Sequence, residues 1–260
     1  MACGMKRLIV LSVAVVSVCN VVAVEPLRLV SYNVQHCLGK DKHVDCARTA
    51  AAIMKENPDF VGLQELDVNV KRSGLVDEPA ELARLAGYHA TFAKAIDCGG
   101  GEYGVAVLSR EKPLSVRRIP LPGLEPRVLL LCEFTNCWFG TTHLDSGTLP
   151  GESVPSHIAS VPVIRKAVMA CAVVKPVFLT GDWNAKPDSE LVAKMCGFMT
   201  ILSDSNKPTI RSMKRCIDYV TVDSAHATGV RLQDRHVTID FETSDHHPVV
   251  VAVELVAGPE

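Results

Sequence analysis

Six short apolar runs in this chain each carry a carboxylate, an amide or an imidazole at or beside one end. "LRLVSYN" (27–33) ends on Asn33, "FVGLQE" (60–65) on Glu65, "CWFGTTH" (137–143) on His143 and "PVFLTGD" (176–182) on Asp182. "IDYVTV" (217–222) has Asp218 near its start, and Asp245 and His246 stand just before "PVVVAVEL" (248–255). Runs of this length, rich in Val, Leu and Phe, read as buried strands. If the last two strands run antiparallel to the earlier ones, every polar group meets at one edge of the sheets. Loops at strand ends are where sites are built on rigid scaffolds.

The remaining pattern is one of alternation. "VDCARTAAAIMKEN" (44–57) reads as a helix with Ala47, Ala50, Ala51, Ile53 and Met54 inward, stopped at Asn57-Pro58 because the residue before proline avoids helical geometry. A short helix is expected at 78–87, ending on Gly87, and a longer one at about 156–174. Further strands are expected at 103–109, 114–119, 127–134 and 137–144. The glycine-rich "CGGGEYG" (98–104) lacks the spacing of a nucleotide fingerprint and reads as a flexible loop rimming the site. No repeat or long linker interrupts residues 25–260, so they form one α/β domain with mixed or antiparallel sheets.

The first residues read differently. Lys6 and Arg7 precede an apolar run, Leu8 to Val18, then small residues and Glu25-Pro26. That is the order of a secretory signal peptide over 1–24, cleaved near Ala23, with Met5 a candidate start. A retained membrane anchor or a lipid on Cys19 is the competing reading. A secreted or periplasmic protein follows. Loss of Lys6 and Arg7 moves the formal net charge from -2 to -4. Proteins that grip nucleic acid through many phosphates are usually basic, so the balance argues against a high-affinity nuclease. Eight cysteines lie beyond residue 24. An even number in an exported chain suggests disulfides, with Cys132–Cys137 across a hairpin and Cys37–Cys46 closing a short loop as candidates. No CxxC spacing supports a zinc site.

Taken singly, each polar residue has a plain structural explanation. Asn33 and "GDWN" suit turns, His143 suits a satisfied core position, Asp218 could pair with Arg215, and Asp245 could form an Asx-turn before Pro248. Their recurrence at one topological position outweighs this. Carboxylates brought together bind a hard divalent cation through oxygen. A positioned carboxylate can take a proton from water, and a histidine held by an aspartate can give one up. Hydrolysis of a phosphate ester is the chemistry that uses all of these. No GxSxG elbow and no phosphate-binding GxxxxGK[ST] loop is present.

In order, "SYNVQ", "GLQE", "YGVAVLSR", "EPR", "THLD", "GDWNA", "IDYV" and "SDHHPV" resemble the motifs of the endonuclease/exonuclease/phosphatase superfamily, across nearly all of 27–255. The resemblance implies a four-layered α/β sandwich, with two mixed, mostly antiparallel sheets packed face to face and helices outside. It implies a magnesium-dependent phosphoesterase, with manganese as a substitute. Glu65 is then the principal metal ligand, with Asn33 beside it and Asp218 and Asp245 near the cation. Asp182 orients or deprotonates the attacking water. Asn184, Arg127, His143 and Tyr103 contact the phosphate. His246 is the acid/base, polarised by Asp245, while His247 points elsewhere. Val105 stands where many relatives have asparagine, which removes one polar group from the rim. The substrate is then a small or lipid phosphoester, or a nucleic acid, acted on by a monomer without an obligate protein partner. A non-catalytic binding protein on the same fold is the remaining alternative.

Overall fold

The computed structural model describes Met1 and residues 26–147, 156–211 and 215–256. The expected signal segment lies outside the described residues. Two six-stranded sheets form the centre. The first contains β1 (Leu27–Asn33), β2 (Phe60–Val68), β3 (His89–Cys98), β4 (Gly101–Ser109), β11 (Val230–Val237) and β12 (Val249–Leu255), in the order β11-β12-β1-β2-β4-β3. The second contains β5 (Ser115–Leu121), β6 (Arg127–Glu133), β7 (Trp138–His143), β8 (Val177–Asp182), β9 (Met199–Ile201) and β10 (Asp218–Asp223), in the order β5-β6-β7-β8-β10-β9. In each sheet one central pair is parallel, β1 with β2 and β7 with β8, and the other pairs are antiparallel.

Each parallel pair needs a crossover, and a helix supplies it. The first crossover is α1 (Cys46–Lys55), capped where Asp45 accepts from the Arg48 backbone N–H. Asn57-Pro58 follows its end, as expected. The second is α3 (Val161–Cys171), which has Pro162 in its first turn. A further helix, α2 (Glu78–Ala86), is capped by Asp77 and stopped by Gly87 at φ 73°. A short α4 (Glu190–Met195) completes the outer layers.

Alternation along the strands makes the layers. Leu29, Phe60, Val107, Leu130, Phe139, Phe178, Val220 and Val251 pack between the two sheets. The outer face of the first sheet buries α1 and α2 through Val30, Leu63, Leu82, Ile53 and Val250. The outer face of the second buries α3 and α4 through Leu129, Leu179, Ile164, Val168 and Leu191. This is the four-layered α/β sandwich.

Several expectations change. Ala47, Ala51 and Met54 are exposed, so α1 buries a narrower stripe of Thr49, Ala50 and Ile53. "CGGGEYG" is no flexible loop. It is the turn of a β3–β4 hairpin, with Gly99 and Gly100 at positive φ. The strands β3, β9 and β11 and the helix α4 were not expected. β11 carries exposed Arg231, Gln233, Asp234 and Arg235, the charged pattern of an edge strand. The cysteines of the described residues are free thiols. Cys132 and Cys137 do not face each other, because the register sets Cys132 opposite Phe139. Both sit in the inter-sheet core, where burial pushes each thiol up to about 12. Cys37 and Cys46 do lie close enough for each thiol to shift the other's titration.

Candidate active site

Register aligns the polar strand ends. His143 stands opposite Asp182 across the parallel β7–β8 pair, and Asp182 stands opposite Asp218 across the antiparallel β8–β10 pair. These three buried groups form one row on the second sheet. In the first sheet Asn33 stands opposite Gln64. The sheets close tightly just below. A Cβ on Gly62 would collide with Thr180 and Thr141, and Gln64 Nε2 donates across the gap to Thr141 Oγ1 at 2.7 Å. Sequence reading missed Gln64. Its signal was a buried amide inside an apolar strand.

Glu65 and Asn184 reach the site through backbone distortion. A bulge between Leu63 and Leu66 carries Glu65 at φ 63°. Asn184 has φ 50°. Left-handed conformations at residues other than glycine cost stability and gather at functional sites.

Asn33 links the two sheets. Its Nδ2 donates to Glu65 Oε1 at 2.9 Å and to Asp182 Oδ2 at 3.1 Å. Asp182 Oδ1 accepts from the Asn184 backbone N–H at 2.8 Å. Burial, with the charge of Asp218 next to it, pushes Asp182 up to about 7. A carboxyl tuned there can take a proton near neutral pH.

His246 is reached from the first sheet, on the loop before β12. Ser244 Oγ ties that loop to Asn33 O at 2.8 Å. His246 Nδ1 lies 2.9 Å from Asp218 Oδ2, and its Nε2 lies 3.7 Å from Asp182 Oδ2. Burial works against its charge, but the Asp218 carboxylate outweighs this and raises it to about 10. The imidazole is therefore a cation. The expected partner was Asp245, and the geometry corrects this. Asp245 is half-buried, with Oδ1 3.4 Å from Ser244 Oγ, whose proton goes to Asn33 O, and its charge helps to raise Glu65. Asp218, expected near the cation, gives one oxygen to His246. Its other oxygen, Oδ1, is buried and unpartnered. His247 turns away, accepting from the Asp240 backbone N–H and meeting Phe241 edge-on.

His143 is buried and neutral. Burial and the positive charges of Arg127 and His246 hold it well below its ordinary value. Asn184 Nδ2 donates to Leu144 O at 2.8 Å and, with its second hydrogen, to His143 Nε2 at 3.0 Å. That leaves the ring proton on Nδ1, so Arg127 Nη1 at 3.4 Å is a contact rather than a hydrogen bond. Arg127 pairs with Glu125 at 2.9 Å and keeps a buried, unpartnered Nε. Tyr103 is buried on β4, beside Arg127 and Glu65. Asp145 of "THLD" is structural. It accepts from Leu124 N at 2.7 Å and from Ser156 Oγ, fixing the loop that presents Arg127.

The donor set fits a hard divalent cation. Glu65 and Asp245 offer carboxylate oxygens, the preference of magnesium, and Asn33 an amide oxygen that also accepts from the Gln35 backbone N–H. Burial raises the Glu65 carboxyl, Asp245 adds to the rise, and a cation would relieve both. Asp182, Asp218 and His246 also place polar atoms within 4.8 Å of one another.

The model of the Endonuclease/Exonuclease/phosphatase family matches residues 30–246. Exodeoxyribonuclease III of Haemophilus influenzae is 25% identical over 172 residues, which are 62% of this chain and 58% of that protein. The chain thus spans less than two thirds of the length of that curated relative. Among solved structures, an endonuclease/exonuclease/phosphatase from Beutenbergia cavernae superposes with a TM-score of 0.72 at 22% identity, covering 89% of this chain and 72% of the other. A mannosyl-6-phosphatase from Bacteroides thetaiotaomicron gives 0.66 at 16% identity, covering 88% and 99%.

Proposed function

The chain belongs to the Endonuclease/Exonuclease/phosphatase family, and from that premise we propose that it is an exported, magnesium-dependent hydrolase of small or lipid phosphoesters. The observation that carries this reading is the meeting of Asn33, Glu65, Asp182, Asp218 and His246 at one end of the sandwich.

The roles follow from the geometry. Glu65, Asn33 and Asp245 would hold the cation. When bound it supplies positive charge to the phosphoryl and leaving oxygens. Asp182, held by Asn33 and Asn184, accepts the proton of the attacking water. The His246 cation, held by Asp218, donates to a phosphoryl oxygen. Arg127, whose Nε has no other partner among the described residues, anchors the same phosphate, and Asn184 holds His143 beside it. The closed pair of sheets below Gln64 excludes water from the rear.

The formal charge of -2 favours a small or lipid substrate over a long polyanion. The likeness to exodeoxyribonuclease III favours the alternative, a nuclease. Export rests on the order of residues 1–24, and a Cys37–Cys46 bridge is proposed for the exported form. Among the described residues no helix is long and apolar enough to cross a membrane.

The test is a panel with magnesium: a phosphodiester chromophore, a phosphomonoester chromophore, inositol phosphates, sphingomyelin and supercoiled DNA. Turnover of a small or lipid ester, abolished by EDTA, is expected. Turnover of DNA alone would select the nuclease, and turnover that survives EDTA would sink the metal mechanism.

A further inference from the structure

Two residues beyond Glu65, β2 carries Asp67, which is 0% exposed. Both of its oxygens accept from one arginine, from Arg72 Nε and Nη2, each at 2.8 Å. Its backbone N–H donates to Glu78 Oε2, also at 2.8 Å. A buried carboxylate is costly, and an apolar pair would be as stable or more so. Here it holds a side chain that is itself 44% exposed. Stability of the fold does not account for that arrangement.

What the pair achieves is placement. The Arg72 guanidinium lies over the ring of Tyr103, 5.5 Å from its centroid. Tyr103 is the cross-strand partner of Asp67 and is buried beside Glu65 and Arg127. Arg72 is therefore one aromatic ring away from the site. Two of its five N–H groups are spent on Asp67 and three remain. Its rotamer freedom is already lost, so an anion meeting those N–H groups pays little further ordering cost.

A second polar group lies within reach of the Arg72 charge. His36 lies in a left-handed turn that follows Asn33, at φ 43°. Its Nδ1 is buried with no hydrogen-bond partner among the described residues. Burial and the positive charge of Arg72 hold its imidazole below the ordinary value, as expected for a neighbour of the guanidinium.

We propose that Arg72, seated on Tyr103 and flanked by His36, is a second anion subsite, so that the substrate carries another anionic group beyond the phosphoester that is cleaved. This rests on the phosphoester-hydrolase reading and narrows its substrate class. Arg72 acts on affinity for the second group, not on the bond that breaks.

The test reads binding, so it does not need turnover. Calorimetry in magnesium compares butylphosphonate with a butylene bisphosphonate, for the wild type, R72K, R72Q and the double variant D67N/R72Q. The double variant leaves no buried charge unpaired if R72Q alone fails to fold. The wild type should bind the bisphosphonate about tenfold tighter, the weight of one charge-assisted hydrogen bond. R72Q and the double variant should lose that advantage, and R72K should keep part of it. An advantage absent from the wild type, or intact in the double variant, would overturn the proposal. The phosphodiester chromophore separates the two readings. A bisphosphonate advantage without turnover would sink the hydrolase reading and keep the subsite. Turnover without the advantage would do the reverse.

Discussion

The two ends of the sandwich are made by the same strands and have opposite chemistry. At one end β1, β7 and β8 finish on Asn33, His143 and Asp182, and a bulge in β2 brings Glu65 beside them; all four are buried or half-buried and polar. At the other end the same strands begin with or beside Leu27, Phe60, Cys137 and Pro176, which line an apolar groove of about 760 Å³. Phe60 packs there on Phe134 at 4.5 Å and on Phe139 at 5.2 Å between ring centroids. The polar end carries left-handed residues, Glu65, Asn184 and the turn Gln35–Cys37, and a carboxyl pushed up to about 7. One end supplies stability and the other consumes it. A site of this kind needs the rest of the strand to be apolar and regular.

That contrast can be broken from either side. The largest effect is expected at Asp182. Asp182→Asn should lower kcat by about a thousandfold, within the range for loss of a positioned base. Its melting temperature without metal should not fall, because the variant removes a charge that burial opposes. A large loss of stability would place Asp182 in the supporting half of the molecule. Next comes the histidine pair. His246→Ala should lose about a hundredfold or more in kcat, while His247→Ala should lose far less. Equal losses would contradict the pairing of His246 with Asp218.

From the apolar end the effect is on folding alone. Phe60→Ala should cost about 3–5 kcal/mol in denaturant unfolding, as for other buried aromatic truncations, with kcat/KM retained at temperatures where it stays folded. A matching loss of kcat would mean that the ends are coupled more tightly than their chemistry suggests.

The smallest effect sharpens the account of buried charge beside the site. Burial pushes Glu78 up from 4.5 to about 9. The fold thus holds a proton that the unfolded chain releases. Its contribution is full below pH 4.5, declines as pH rises toward about 9, and is level above that. Glu78→Gln should flatten the fall in urea midpoint across that window. An unchanged slope would show that Glu78 is ionised in the fold.

Much of this was legible in the sequence, for physical reasons. Apolar runs with one polar terminus read as strands, and Asn33, His143, Asp182 and Asp218 stand at the strand ends where those runs placed them, while Glu65 lies on a bulge with the strand running on to Val68. The Gly87 stop of α2 was equally plain, since helix termination is local. The misassigned pair shows the limit. Asp245 is the sequence neighbour of His246, yet its partner is Asp218, 28 residues away. Register decides that, and register is not local. Edge strands escaped for a related reason. β3 and β11 pack only one face, so their exposed charges mask the apolar period. Nothing local marks Arg72, because its meaning depends on Asp67 five residues earlier, whose burial only the fold reveals.

The central claim is a division of labour, with Glu65 and its neighbours serving the cation and Asp218 serving His246. Turnover of a phosphodiester chromophore against magnesium concentration, in the wild type, Glu65→Gln and Asp218→Asn, tests it most directly. Glu65→Gln should raise the magnesium needed for half-maximal rate by about tenfold or more, the usual order for loss of one interaction with a charged group. Asp218→Asn should lower kcat and leave that concentration where it is. A shift with Asp218→Asn and none with Glu65→Gln would contradict the account.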